Sequence, residues 1–304
     1  MGTLEKDGVR GLAQNTDELL FKGTPFKQKD FDIVSPLNIL SENLKIEHWQ
    51  ILLDFFKTID FNNYSGVIIT HGTDTLAFTA AFVAHITKGL SMPVVLIANN
   101  HPLPDPRANG RQNFIDAVNL ILTKKHTGTF VCYGGKVFTG RRIQSWRPFE
   151  NSYTNFSPVR PFQNVNIAEQ GVDAFNDAYA DFPFELKRFA GEGLLEDNTK
   201  PLYKSLTTIK NHVLILYPYP GIDYERLQIE NVDAIIHMTY HSLTYNNDVS
   251  ILKERCKAKG IPLIVGPTRH GIIATYTSKV DGLIEVPNTS LETLFAMAVV
   301  GEFD

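Results

Sequence analysis

The sequence has few cysteines, no long apolar run and no surplus of positive charge. Only two of its 304 residues are cysteines, Cys132 and Cys256, and two such distant residues favour buried thiols over a disulfide or a metal site. This usage of cysteine predicts a reducing, cytoplasmic location. Apolar runs such as residues 94–98 are far shorter than the ~18 residues of a membrane helix, so no membrane span is expected.

Charge and length narrow the classes of protein further. The net charge of −4 argues against nucleic acid and anionic membranes as partners, because these attract basic surfaces. The first residues lack the basic and apolar regions of a secretory leader, so no leader is expected. With 304 residues the chain exceeds the usual size of a single hydrophobic core, which predicts two domains.

Short apolar runs alternate with segments of helical periodicity, which predicts an α/β fold. Strands are predicted at 67–70, 94–98, 129–133, 213–217, 234–237 and 262–265, and helices at 46–59, 75–90, 110–123, 248–259 and 290–300. We expect a larger N-terminal domain, with a mainly parallel sheet flanked by helices, and a smaller C-terminal α/β domain. This alternation of strand and helix patterns stops between residues 149 and 205. We therefore predict domains at 1–185 and 207–304, joined by a linker at 186–206.

Residues 70–75, with the sequence THGTDT, lie where a predicted strand passes into a predicted helix. Ligands of parallel sheets bind at this end of the strands. Gly72 permits a sharp turn, and the N–H groups that begin a helix favour a carboxylate. Thr73 offers a hydroxyl that could attack a substrate or position water, and Asp74 could bind an ammonium group. Equally, Asp74 could cap the helix and Thr73 could simply turn the chain; His71 is expected to pack rather than catalyse.

The THGTDT sequence after a buried strand resembles the signature of bacterial-type asparaginases and glutaminases. Further resemblances to family segments lie at 39–43, 93–98, 106–110, 217–221 and 239–242. The resemblance implies hydrolysis of asparagine to aspartate and ammonia through a threonine nucleophile and an acyl-enzyme, without a metal or an organic cofactor. It also implies that the partner is a small-molecule amino-acid amide and that the chain forms a homodimer or homotetramer.

The family resemblance assigns roles to residues near the 70–75 turn. Thr73 would be the second of two catalytic threonines, and Asp74 would bind the α-amino group of the substrate. Ser41 and the backbone near Gly72 would bind the α-carboxylate, with Glu42 adjacent to them. Preorganised backbone N–H groups would stabilise the oxyanion of the reaction.

The first catalytic threonine of the family is not evident in this sequence. It follows a buried strand in the family, and here only Thr3 could be its remnant. Asp7 begins a stretch that resembles family residues well beyond the nucleophile, and Thr3 precedes it by only a few positions. We therefore expect this strand and its threonine to be missing. Its neighbours would then expose unpaired backbone groups, which predicts poor stability alone or a second segment that fills the gap.

A family lysine that assists the threonine pair corresponds to Ser145. A serine cannot supply positive charge or accept a proton near neutral pH. Arg141 or Arg142 could supply charge, but an arginine is a poor base. His241 and Ser242 resemble a region that closes the active site of a neighbouring protomer, although a surface loop is an equally open interpretation.

Several functions stay open at this point. The first is an asparaginase, with glutaminase side activity as an option. The second is a catalytically impaired homologue that binds an amino acid such as aspartate without turnover. The third is a two-lobe binding domain unrelated to the family, since fold alone does not fix function. Asparaginase-like domains also occur in transamidation complexes that act on charged tRNA, but the sequence contains no evident tRNA-binding segment or basic face.

Overall fold

Two four-stranded sheets, each with helices packed against it, form the framework of the protein. The computed structural model describes residues 3–6, 9–12, 17–145, 153–155, 200–240, 244–268, 280–287 and 289–303. Its strands are β1 (Thr3–Lys6), β2 (Val9–Leu12), β3 (Val67–Thr70), β4 (Pro93–Ile97), β5 (Gly128–Tyr133), β6 (Lys136–Thr139), β7 (Ile143–Ser145), β8 (Tyr153–Asn155), β9 (Val213–Leu216), β10 (Ala234–His237), β11 (Leu263–Thr268) and β12 (Ile284–Pro287). Its helices are α1 (Asp17–Phe21), α2 (Ile46–Thr58), α3 (Leu76–Ile86), α4 (Gly110–Leu122), α5 (Val249–Lys259) and α6 (Leu291–Val299).

The sheets are largely parallel, which confirms the predicted α/β class. The first has the order β3-β4-β5-β6, with β3, β4 and β5 parallel and β6 antiparallel. The second has the order β12-β11-β10-β9 and is parallel throughout. Parallel pairing places the carboxyl ends of β3, β4 and β5 at the same end of the first sheet, its carboxyl edge. The residues after Thr70 and Ile97 therefore lie close together.

Burial follows the apolar patterns of the sequence. The central strand β4 is an unbroken apolar run and is fully buried, as expected for a strand covered on both faces. Helix α2 buries its apolar stripe, formed by Trp49, Leu52, Leu53 and Phe56. Helix α3 is buried on nearly every side because it packs against both β5 and α6. A helix that is apolar all round is typical of such a central position.

Strand β3 is one of the two edge strands of the first sheet, as the structure describes it. Its residues Val67, Ile68 and Ile69 are only half-buried and Thr70 is exposed, and within the described residues a neighbouring strand lies on one side only. The hairpin of β1 and β2 is a separate two-stranded sheet, with Thr3 opposite Leu12. The expectation that a family strand is missing stays a prediction, and among the described residues β3 has no strand paired to its outer side.

The boundaries of several elements differ from the sequence predictions. Helix α3 ends at Ile86 rather than at residue 90, and Gly89 then adopts a left-handed φ of 80°, a conformation that ends helices. The β1–β2 hairpin and the short strands β6, β7, β8 and β12 were not predicted individually. Residues 186–199 of the expected linker lie outside the described residues, so the domain boundaries stay a prediction. The side chain of Tyr203, in the described remainder, is buried against Phe56 and Phe61.

Two further expectations can be compared with the structure. Cys132 and Cys256 are both buried free thiols, as predicted. Within the residues that the structure describes, no helix has the length and apolar character needed to cross a membrane.

Candidate active site

The 70–75 turn joins β3 to α3 at the carboxyl edge of the first sheet. The backbone N–H of His71 donates to the carbonyl of Ile97 over 2.8 Å, which ties the start of the turn to the end of β4. Thr75 is the N-cap residue of α3, but its side chain makes no capping hydrogen bond. Instead, the Thr75 hydroxyl donates to the carbonyl of Ser41 over 3.0 Å. The turn is therefore held by the sheet on one side and by residue 41 on the other.

Ser41 and Asp74 form a directly bonded pair. The Ser41 hydroxyl donates to Asp74 Oδ2 over 2.6 Å, and the backbone N–H of Asp74 donates to Ser41 Oγ over 3.3 Å. Ser41 is buried in a short 3-10 helix, whereas Asp74 is exposed. The Asp74 carboxylate thus bonds to Ser41 rather than capping α3, and its second oxygen, Oδ1, has no hydrogen-bond partner among the described residues.

Gly72 allows Ser41 to approach the turn. A Cβ atom at position 72 would lie 2.3 Å from Ser41 Oγ and 2.6 Å from Ser41 Cβ, well inside van der Waals contact. The sequence indicates that Gly72 permits a sharp turn, and the structure adds a different reason for glycine, the close approach of Ser41. Glycine is used where a backbone must come close to another group.

Thr73 lies half-buried within the turn. Among the residues that the structure describes, neither the N–H of Gly72 nor the N–H of Thr73 has an acceptor. These donors lie just before the first turn of α3, where the helix dipole adds positive character. The arrangement can therefore accept a carboxylate or a developing oxyanion.

Tyr153 is a site residue that the sequence did not reveal. Its hydroxyl donates to the carbonyl of Thr73 over 2.6 Å. Its ring is buried and packs edge-on against Tyr133 at 5.1 Å. Burial raises the pKa of Tyr153, and the neighbouring Tyr133 and Asp74 act in the same direction, so the phenol remains a donor. It lies in the three-residue strand β8, within a stretch without periodicity, where no sequence signal marked it.

Ser145 faces a buried carboxyl group that the sequence also did not reveal. Its backbone N–H donates to Glu292 Oε1 over 3.1 Å, while its side chain is exposed and its register partner across the β7–β8 pair is Tyr153. Glu292 lies in the first turn of α6, and burial raises the pKa of its carboxyl group to about 7. The Thr293 hydroxyl beside it donates to the carbonyl of Arg141 over 2.6 Å. These bonds fasten the segment that carries Ser145 to α6.

We expect Glu292→Gln to stabilise the protein at alkaline pH only. The folded pKa of this carboxyl group is raised from 4.5 to about 7, so the fold disfavours ionisation and loses stability as pH rises through that interval. Glutamine keeps the acceptor for Ser145 and cannot ionise. The free energy of unfolding in urea should rise by about 1–3 kcal/mol at pH 8 and stay unchanged at pH 4.5. The exposed control Glu225→Gln should show neither change, and an equal gain at both pH values would contradict the assignment.

For the other residues predicted for the site, the described part of the chain shows no hydrogen bond to the 70–75 turn. The backbone of Thr3 belongs to the β1–β2 hairpin rather than to the sheet that contains Thr70, and its side chain lies outside the described residues. Glu42 is exposed beside Ser41. Within the described residues, no hydrogen bond joins its side chain to the 70–75 turn. His241 and Ser242 lie outside the described residues, so their proposed closing role stays a prediction.

A cavity of about 840 Å³ lies at the opposite, amino-terminal edge of the first sheet, near Pro93 and Thr127. Its lining includes Lys57, in the last turn of α2, and Lys124 and Lys125, just after α4. Lysines at these positions complement the negative ends of the helix dipoles. None of the residues that line the cavity belongs to the 70–75 turn, so the two are separate. The positive charge of the cavity is explained by the lysines at the ends of these helices.

The fold is α/β, and its polar 70–75 turn lies at the carboxyl ends of parallel strands, where ligands of such sheets bind. Residues 4–175, more than half of the chain, match the family model described as "Asparaginase, N-terminal". The chain therefore belongs to the asparaginase family.

Two kinds of known protein are similar to this chain. The D subunit of glutamyl-tRNA(Gln) amidotransferase from Thermoplasma volcanium is 24% identical over an alignment of 280 residues that covers 84% of this chain and 63% of that protein. The chain thus spans less than two thirds of this relative. Among solved structures, the thermostable L-asparaginase of Thermococcus kodakarensis has a TM-score of 0.71 at 18% identity, covering 99% of this chain and 89% of that one. L-asparaginase I of Vibrio cholerae has a TM-score of 0.66 at 18% identity, covering 97% and 87% respectively.

Proposed function

We propose that this protein hydrolyses the side-chain amide of free asparagine, giving aspartate and ammonia. The observation that carries the proposal is the bonded pair of Ser41 and Asp74, placed beside the free N–H groups of Gly72 and Thr73. An anionic carboxylate and a set of backbone donors are thereby held within one turn. Their charges complement the ammonium and carboxylate groups of an amino acid.

Each side chain has a distinct role in this proposal. Asp74 binds the α-amino group through Oδ1, which has no hydrogen-bond partner in the described part of the chain, while Ser41 and the backbone N–H near Gly72 bind the α-carboxylate. A threonine hydroxyl attacks the amide carbon, the C–N bond breaks and ammonia leaves, and water then hydrolyses the acyl-enzyme to aspartate. Thr73 is the second threonine of this apparatus. Thr3, or a threonine on a segment that pairs with the open edge of β3, is the nucleophile.

The amidotransferase relative favours a second candidate function, the hydrolysis of glutamine within an amidotransferase that acts on glutamyl-tRNA(Gln). The supporting observation is the 24% identity to that relative across 84% of this chain. This role would need partners beyond this chain. The asparaginase proposal instead requires only a small-molecule amide as partner and a homodimer or homotetramer. The two buried free thiols favour a cytoplasmic location for either function.

Ammonia release from asparagine and from glutamine tests the two candidates. The protein, together with the segment that supplies the first threonine, should release ammonia from asparagine, and Thr73→Ala should lower the rate at least about 100-fold, since the catalytic group is lost. Thr127→Ala, which changes an exposed threonine at the opposite edge of the sheet, is the matched control and should retain full activity. Release from glutamine alone would favour the amidotransferase role.

Calorimetric titration with aspartate separates an impaired homologue from an enzyme. Binding of aspartate without turnover would support the impaired homologue and overturn the asparaginase proposal. The absence of both binding and turnover would overturn the amino-acid site itself. Light scattering of the same preparation checks the expected dimer or tetramer.

A further inference from the structure

A chain of three hydrogen bonds runs from α2 through α3 to the 70–75 turn. Trp49 Nε1 lies 3.1 Å from Thr79 Oγ1, Thr79 Oγ1 lies 3.0 Å from His71 Nε2, and His71 Nδ1 lies 2.7 Å from the carbonyl oxygen of Gly72. Trp49 and Thr79 are 3% and 2% exposed. The function proposed above uses none of these three side chains.

The direction of each bond follows from the chemistry of its two groups. An indole N–H can only donate, so Thr79 Oγ1 accepts from Trp49. A carbonyl can only accept, so His71 Nδ1 carries the hydrogen that reaches Gly72. In a neutral imidazole Nε2 is then an acceptor, and it receives the single hydroxyl hydrogen of Thr79. The hydrogen bond at Thr79 and the hydrogen bond at Gly72 therefore require the same tautomer of His71.

The neutral state of His71 fits this arrangement. Burial lowers the pKa of His71 to about 4, although its bond to Gly72 acts in the opposite direction. At neutral pH the imidazole is therefore uncharged, and the hydrogen on Nδ1 is available to Gly72. Protonation of Nε2 would direct an N–H group at Thr79 Oγ1, which already accepts from Trp49.

Fixing a carbonyl also fixes the N–H of the same peptide unit. The peptide group is planar and trans, so the N–H of Thr73 points away from the Gly72 carbonyl. His71 holds that carbonyl, which leaves the Thr73 N–H directed to the opposite side. In the next peptide unit, Tyr153 holds the Thr73 carbonyl, and the Asp74 N–H meets Ser41. Two successive peptide planes are thus held by side chains that are buried or half-buried.

We infer that Trp49, Thr79 and His71 are positioning residues that aim the free N–H of Thr73 at the bound ligand. The inference rests on the proposed amino-acid site and deepens it by naming what orients its donor. These three residues form a hydrogen-bond relay, which acts through His71. His71 fixes the Gly72–Thr73 peptide plane before the ligand arrives. A preorganised donor of this kind requires no reorientation on binding.

Nitrogen-15 NMR of His71 tests the relay in the free protein, independently of any ligand. With histidine labelled and the His71 signal assigned through His71→Gln, the wild type should show the hydrogen on Nδ1. Thr79→Val, of nearly the same shape but without the hydroxyl, should shift the His71 tautomer equilibrium and the amide signal of Thr73. Thr79→Ser should restore both. Wild-type protein with the hydrogen on Nε2, or unchanged spectra in Thr79→Val, would overturn the relay.

Aspartate titration of the same variants tests the consequence for the site. Thr79→Val should weaken aspartate binding about tenfold, while Thr79→Ser should bind like the wild type. The matched control is Thr87→Val, which removes another buried hydroxyl, bonded to Val83 at the far end of α3. It should destabilise the fold without changing the His71 spectrum or the affinity.

The outcomes separate the two proposals. Equal affinity of Thr79→Val and wild type would overturn the positioning role. A wild type that binds no aspartate but shows the expected tautomer, with the Thr73 signal moved by Thr79→Val, would overturn the proposed function and support the relay.

Discussion

Replacing Asp74 by asparagine is expected to weaken aspartate binding about 100-fold, because hydrogen bonds to charged groups contribute about 1.5–3 kcal/mol. Asparagine has nearly the same shape as aspartate and can still accept the hydroxyl of Ser41, which lies 2.6 Å from Asp74 Oδ2. The substitution therefore removes the negative charge while it preserves the local contact. Calorimetric titration with aspartate, at a pH where the wild type is folded, measures the change.

The matched control for Asp74→Asn is Asp32→Asn. Asp32 is also an exposed carboxylate that accepts from a hydroxyl, that of Tyr64 at 2.9 Å, but it lies outside the site. Its replacement should leave the affinity for aspartate unchanged. A loss smaller than about threefold for Asp74→Asn, or an equal loss for the control, would remove Asp74 from the ligand site.

Gly72→Ala is expected both to destabilise the protein by about 1–3 kcal/mol, the usual cost of overpacking, and to abolish measurable aspartate binding. The new Cβ would lie 2.3 Å from Ser41 Oγ, and Ser41 cannot rotate away without releasing Asp74. Urea unfolding and aspartate titration measure the two effects. The double variant Ser41→Gly with Gly72→Ala removes the clash and should recover stability but not binding.

A second crowded glycine separates steric strain from loss of the site. A Cβ at Gly66 would lie 2.8 Å from the side chain of Ile121, and Gly66 precedes β3, at the end of the strand opposite to the 70–75 turn. Gly66→Ala should therefore destabilise the protein as Gly72→Ala does but leave the remaining folded molecules able to bind aspartate. Normal binding by Gly72→Ala would show that Ser41 does not need its present position.

The sequence predicted those features that depend on neighbouring residues. The bounds of β3 and β10 agree with the prediction because each is an apolar run that ends abruptly. The 70–75 turn was found because its residues are contiguous. The place of Ser41, by contrast, came only from the family resemblance, since no local pattern links it to Asp74, 33 residues later.

Long-range polar contacts account for what the sequence did not predict. Tyr153 bonds to Thr73 across 80 residues, and Glu292 bonds to Ser145 across 147 residues. Neither contact produces a periodic pattern, and each depends on how separate elements pack. The relay from Trp49 is similar, because the amphipathic pattern of α2 explains the burial of the indole ring but not the partner of its N–H.

The charged and polar groups of the 70–75 turn bear on whether free or peptide-bound asparagine can bind there. Asp74 offers only negative charge, whereas the neighbouring N–H groups of Gly72 and Thr73 offer only hydrogen-bond donors. If these groups bind ligand as proposed, the turn is a receptor for a zwitterion. An asparagine within a polypeptide has neither a free ammonium nor a free carboxylate on its α-carbon, so the same turn would leave the side-chain amides of cellular proteins untouched.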